Sequence, residues 1–97
     1  MSVEEMLLIP DETRLSQNYS NPFNPKTRIK FSIADFELVN IKVYDALGNE
    51  FATLVNEEKP AGTYEFEFNG TGLPSGIYFY QLKAGSFVKT KKMVLMK

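Results

Sequence analysis

Few residues of this 97-residue chain could do chemistry, and their types and spacing limit what that chemistry is. Glu65 and Glu67 lie two apart, so on a strand both carboxylates project from one face. Paired carboxylates hydrolyse glycosides when they flank a cleft and one of them is held protonated. Two glutamates on a solvated strand face meet neither condition, and the expected role is solvation. Asp45, Asn49 and Glu50 surround Gly48 with oxygen atoms, but the D-x-[DN]-x-[DN]-G pattern of a calcium loop is missing, so a plain turn is expected. The chain has no His and no Cys. That removes Ser-His-Asp and Cys-His nucleophiles, the usual zinc ligands and any disulfide. No glycine-rich phosphate loop opens a helix. The expectation is a protein that is not an enzyme and holds neither cofactor nor metal.

What remains is charge. Lys83, Lys89, Lys91, Lys92 and Lys97 follow one another with no acid between them, while residues 1–13 hold Glu4, Glu5, Asp11 and Glu12 and no base. The formal net charge is only −1, so no strong overall field draws nucleic acid or a membrane surface. The lysines also lack the interleaved aromatics of a nucleic-acid surface. Two readings of the cluster stay open. Lysine on an edge strand blocks edge-to-edge aggregation. Alternatively, a strand so charged is one that another protein grips.

The elements that must carry these residues show a period of two. Ile29, Phe31 and Ile33 alternate with Arg28, Lys30 and Ser32, and Val39, Ile41 and Val43 repeat the pattern. Tyr64, Phe66 and Phe68 form a third inward row. The segment from Glu50 to Val55 does not alternate and is expected to be an edge strand or to carry a bulge. Residues 56–62 are polar and end in Pro60 and Gly62, which predicts a turn. From Gly76 to Leu82 both faces are apolar: Tyr78, Tyr80 and Leu82 in one row, Ile77 and Phe79 in the other. Ile77 and Phe79 are either covered by the domain itself, the reading preferred here, or exposed beside a sheet edge as an invitation to a partner. From Phe87 to Met96 the period fails around Lys91 and Lys92, which predicts a bulge there.

Asn21-Pro22 and Asn24-Pro25 mark turns, with Phe23 between them expected to plug one edge of the core. Gly76-x-Tyr78-x-Tyr80 has the spacing of the tyrosine corner of immunoglobulin-like sandwiches, with Tyr80 in the core position and Gly76 expected at positive φ or at a close backbone approach. Six strands follow from pattern, with a possible seventh at Arg14–Gln17. No helical period is found. The expected fold is all-β, an antiparallel immunoglobulin or fibronectin type III-like β-sandwich of six to seven strands. Residues 1–13, acidic and without period, are expected to form a linker, and residues 14–97 one domain. No apolar run approaches the ~20 residues that span a bilayer, so no direct membrane insertion is expected.

Two stretches carry a family resemblance. Leu15-Ser16-Gln17-Asn18-Tyr19-Ser20-Asn21-Pro22-Phe23-Asn24-Pro25 resembles the opening motif of the C-terminal sorting domains of type IX secretion cargo, type A, although Ser20 stands where that family usually has Pro. Ser75-Gly76-Ile77-Tyr78-Phe79-Tyr80-Gln81-Leu82, followed by Lys91-Lys92-Met93-Val94-Leu95-Met96-Lys97, resembles its closing motifs. The resemblance implies a C-terminal secretion signal that takes an attached cargo from the periplasm across the outer membrane. It implies recognition by an outer-membrane translocon and a shuttle protein. A sortase-like protease would then cut the linker, and the cargo would be released or joined to the cell surface. An upstream cargo domain in the same polypeptide, with its signal peptide ahead of it, is implied as well. Carried onto this chain, the recognition residues are Gly76, Tyr78, Leu82, Lys91, Lys92 and Lys97. The alternatives are a passive immunoglobulin-like spacer or adhesion module and a carbohydrate-binding sandwich using exposed Tyr or Phe as a sugar platform.

Overall fold

Alternation of apolar and charged side chains makes a strand with one face to bury, and β2 (Lys26–Ile33) shows the consequence. Ile29, Phe31 and Ile33 are no more than 1% exposed, while Lys26, Arg28 and Lys30 face solvent. The computed structural model describes residues 10–97. Seven strands run β1 (Arg14–Leu15), β2, β3 (Glu37–Asp45), β4 (Glu50–Lys59), β5 (Gly62–Asn69), β6 (Gly76–Ala84) and β7 (Phe87–Leu95). They form a three-stranded sheet, β1-β2-β5, and a four-stranded sheet, β4-β3-β6-β7, with every neighbouring pair antiparallel. The fold is an immunoglobulin-like β-sandwich, and β1 is the short seventh strand that the pattern left open.

The core lies between the sheets. Val39, Ile41 and Val43 of β3, Tyr80 and Leu82 of β6 and Met93 of β7 are fully buried against Ile29, Phe31 and Ile33. Burying one such side chain is worth about 1.5–3 kcal/mol, so this layer supplies the main drive to fold. Phe23 is 2% exposed and meets the Phe68 ring edge-on at 6.1 Å, which makes it the plug expected from its place between two prolines.

The irregular β4 is an edge strand with register shifts against β3 at Ile41/Lys42 and Val43/Tyr44. Two expectations fail. Residues 56–59 are not part of a turn: β4 continues to Lys59, which pairs with Glu37. An edge strand past the cover of the second sheet has no apolar row to display, so its polar composition resembled a loop. Nor does β7 bulge at Lys91 and Lys92. Its register against β6 is unbroken from Gly76↔Leu95 to Ala84↔Phe87. The period fails because Lys89 and Lys91 occupy inward positions at the open margin of the sandwich, where the smaller sheet does not cover them.

Of the expected linker, residues 1–9 lie outside the described residues. Thr13 is tied to the domain, its Oγ1 accepting the Ala34 amide at 3.2 Å.

Candidate functional site

The two motifs singled out in the sequence lie far apart in the chain, and the fold brings them into contact along the outer edge of β7. The Asn-Pro segment cannot run as a regular strand, because Pro22 and Pro25 lack amide donors and Asn side chains satisfy nearby backbone groups themselves. It therefore wraps the sheet edge instead of extending it. Phe23 donates its amide to the Val94 carbonyl at 2.9 Å and accepts the Met96 amide at 3.0 Å, a one-residue parallel bridge opposite Leu95. Asn21 Oδ1 accepts the Val94 amide at 2.9 Å, and Gln17 Nε2 donates to the Lys92 carbonyl at 2.6 Å. The Tyr80 hydroxyl donates to the Ser16 carbonyl at 2.7 Å from beneath. Burial pushes that phenol up to about 12, against a smaller opposing effect of the Asn18 backbone. Gly70 completes the joint. A Cβ there would lie 3.1 Å from Leu95 Cδ2 and 3.3 Å from Phe23 Cε2, so the site admits only glycine without a shift.

Inside this segment a small polar network is satisfied. Asn18 Nδ2 donates to the Ser20 carbonyl and to Thr27 Oγ1, and the Thr27 hydroxyl donates to the same carbonyl at 2.8 Å. Asn18 and Thr27 are 3% exposed, and no buried side-chain polar atom lacks a partner among the described residues. A buried network with every member paired fixes one conformation of the segment.

The six expected recognition residues divide by position. Gly76 opens β6 at φ +152°, and a Cβ added there would meet no atom within 4 Å, so backbone conformation and not space demands glycine. Tyr78 is 6% exposed, and its hydroxyl donates to the Pro74 carbonyl at 2.6 Å, which is the tyrosine corner. Leu82 is fully buried. These three shape the turn and strand from inside. Lys92 and Lys97 are exposed and Lys91 is half-buried. Lys91 pairs with Tyr80 on the inward row and Lys92 with Phe79 on the outward row, so the two neighbouring lysines point to opposite faces of the sheet. The Lys97 amide donates to Ser75 Oγ at 3.0 Å, which holds that residue beside the entry to β6.

Charge separates the middle of the chain from its last strands. The ion pairs among the described residues are Arg14–Glu12, Lys26–Glu67, Arg28–Glu65, Lys42–Glu50 and Lys59–Glu57. None involves Lys83, Lys89, Lys91, Lys92 or Lys97. Glu65 and Glu67 thus each face a cation on the open face of the three-stranded sheet. Asp45 spends its oxygens on its own turn, accepting the Asn49 and Leu47 amides, each at 2.9 Å. Those donors, Asn49 first, hold its carboxyl below the usual carboxylate range. Among the described residues no group of three His, Cys, Asp or Glu is placed to hold a metal ion.

Sequence inspection missed a second tyrosine corner. The Tyr64 hydroxyl donates to the Pro60 carbonyl at 2.6 Å, four residues back, as Tyr78 does to Pro74. The signal was present: Pro60-Ala61-Gly62-Thr63-Tyr64 and Pro74-Ser75-Gly76-Ile77-Tyr78 share the pattern P-x-G-x-Y. Both open a strand, so one device sets the entry to β5 and to β6. The open question over Ile77 and Phe79 resolves unevenly. Ile77 is 42% exposed and Phe79 half-buried, because they lie on the outer face of the four-stranded sheet, where no further layer packs among the described residues.

No curated protein matches the chain. The family model described as the secretion system C-terminal sorting domain matches residues 17–96, which takes in every strand from β2 to β7, the first motif from Gln17 onward and the second up to Met96. A match of that extent places this chain in the type IX secretion C-terminal sorting domain family.

Proposed function

We propose that this chain is the signal domain by which an attached cargo crosses the outer membrane through the type IX system. An outer-membrane shuttle and translocon recognise the folded domain after periplasmic transit. A sortase-like protease then separates it from the cargo within about the first fourteen residues, ahead of the paired β1 strand. The cargo ends at the cell surface or outside the cell. The domain itself is not catalytic. The observation that carries the reading is the joint along β7: both family motifs converge there, and the lysines beside it have no ion pair among the described residues.

In this reading Lys91, Lys92 and Lys97 meet the machinery, while Gly76, Tyr78 and Leu82 serve by holding the strand that displays them. The competing role for the lysines is edge protection, since β7 is the edge of its sheet. A reporter fused ahead of the chain in a type IX-competent cell separates the two. With Lys91, Lys92 and Lys97 all changed to Gln, the reporter should accumulate in the periplasm with its linker uncut. The melting temperature should stay near that of the unaltered chain, because Lys92 and Lys97 are exposed, the half-buried Lys91 still meets water, and such surface substitutions shift stability by less than about 0.5 kcal/mol each. Normal surface delivery of that variant would reduce the lysines to edge protection.

A further inference from the structure

One end of the outer sheet face carries exposed apolar side chains that no other described residue covers. Leu47, at the tip of the β3–β4 turn, is 88% exposed, Ile77 is 42% exposed and Met96 is 58% exposed. They form one patch. Leu47 and Ile77 line the same shallow depression with Asp45, Ser75 and Gly76, and the Asp45 carboxylate there accepts the amides of its own turn. Ile77 stands directly opposite Val94 across β6 and β7, and Met96 follows Val94 two residues on, held by its hydrogen bond to Phe23. Lys92 borders the patch on the β7 side, and the Lys97 amide is bound to Ser75 on the other. Neither lysine is in an ion pair among the described residues, whereas cations elsewhere, such as Lys26, Arg28 and Lys42, pair with carboxylates.

An exposed apolar cluster rimmed by unpaired cations suits a protein surface of matching pattern, apolar at its centre with carboxylates at its border. A symmetric contact between two copies is less well matched, because it would gather four such lysines into one interface with only the two Asp45 carboxylates to offset them. We propose that Leu47, Ile77, Val94 and Met96, with Lys92 and Lys97 at the border, dock onto an acid-rimmed apolar surface of a receptor protein of the secretion machinery. This rests on the sorting-signal reading and identifies the face that it uses. Apolar centres carry most of the energy of such contacts and border charges mainly guide approach, so the apolar residues should matter more than either lysine alone.

The test uses the full chain fused behind a reporter in a type IX-competent cell. Leu47→Glu and Met96→Glu place an acid in the patch, at side chains exposed enough to leave the core alone. Phe36→Glu and Leu38→Glu do the same at exposed apolar positions outside the patch. Surface delivery should fall by about tenfold or more for the patch variants and stay normal for the controls. Leu47→Ser, which adds no charge, gives the same reading should an acid variant melt low. Normal delivery of the patch variants beside a delivered wild type would overturn this face and leave the sorting reading intact. Equal losses for patch and control variants would overturn it as well. Failure of the wild-type fusion would end the sorting reading and this proposal with it. Binding of the purified chain to anionic phospholipid vesicles, abolished by Leu47→Glu, would replace the protein receptor with a lipid surface and so refute the proposal.

Discussion

Removing the Phe23 ring tests whether the Asn-Pro segment holds the last strand in place. Phe23 is 2% exposed, meets Phe68 edge-on and closes over Gly70, so Phe23→Ala opens a cavity that its rigid neighbours fill poorly. Truncations of this type cost about 3–5 kcal/mol. A domain of this size has a total stability of about 5–15 kcal/mol, and each kcal/mol moves its midpoint by about 4–8 °C. The melting temperature should therefore fall by at least about 12 °C. The loss should also be directional. The Val94 and Met96 amides are held by Asn21 and by Phe23 itself, so in the variant they should exchange with solvent well before the amide of Ile41 in the central β3 strand. Urea unfolding gives the first quantity and amide hydrogen exchange the second. A cost below about 1 kcal/mol, or unchanged exchange at Val94 and Met96, would show that β7 keeps its place without the segment.

Gly76→Ala should cost more than about 1 kcal/mol, and Gly76→Val at least as much, because the strain at φ +152° begins with the first carbon while no atom nearby would clash. A harmless alanine would remove the conformational reason for this glycine. Tyr64→Phe and Tyr78→Phe each lose one corner hydrogen bond and should cost about 0.5–1.5 kcal/mol, against about 3–5 kcal/mol for Tyr80→Ala in the core. Equal effects across the three in urea melts would contradict the placement of the rings. Alkaline pH should destabilise the fold through Tyr80. Its phenol is neutral in both states below its ordinary value near 10; above that the unfolded chain ionises first, so stability falls as pH rises from about 10 to about 12. The loss is at most about 3 kcal/mol, less where water reaches the hydroxyl, and Tyr80→Phe should remove this component of the pH profile.

Strands with one buried face were legible from the chain alone. In β2, β3 and β5 the solvent lies on one side and the core on the other, so burial imposes a period of two on the residue types. Local backbone chemistry was legible for the same reason of proximity: the Tyr78 corner spans four residues, and Gly76 announces a conformation closed to other residues. The polar end of β4 and the straight course of β7 were not legible, because a strand at the margin of a sandwich lacks the covering layer that would print alternation on it. Lys89 and Lys91 point inward and still meet water. Above all, the chain could supply two motifs but not their relation. That Phe23 bridges Leu95, that Lys91 and Lys92 diverge to opposite faces, and that Leu47 and Ile77 line one depression all depend on how the sheets stack and where the segment from Gln17 to Pro25 crosses the edge. Such contacts between distant residues are chosen by the packing of the whole core, and no local pattern in the chain encodes them.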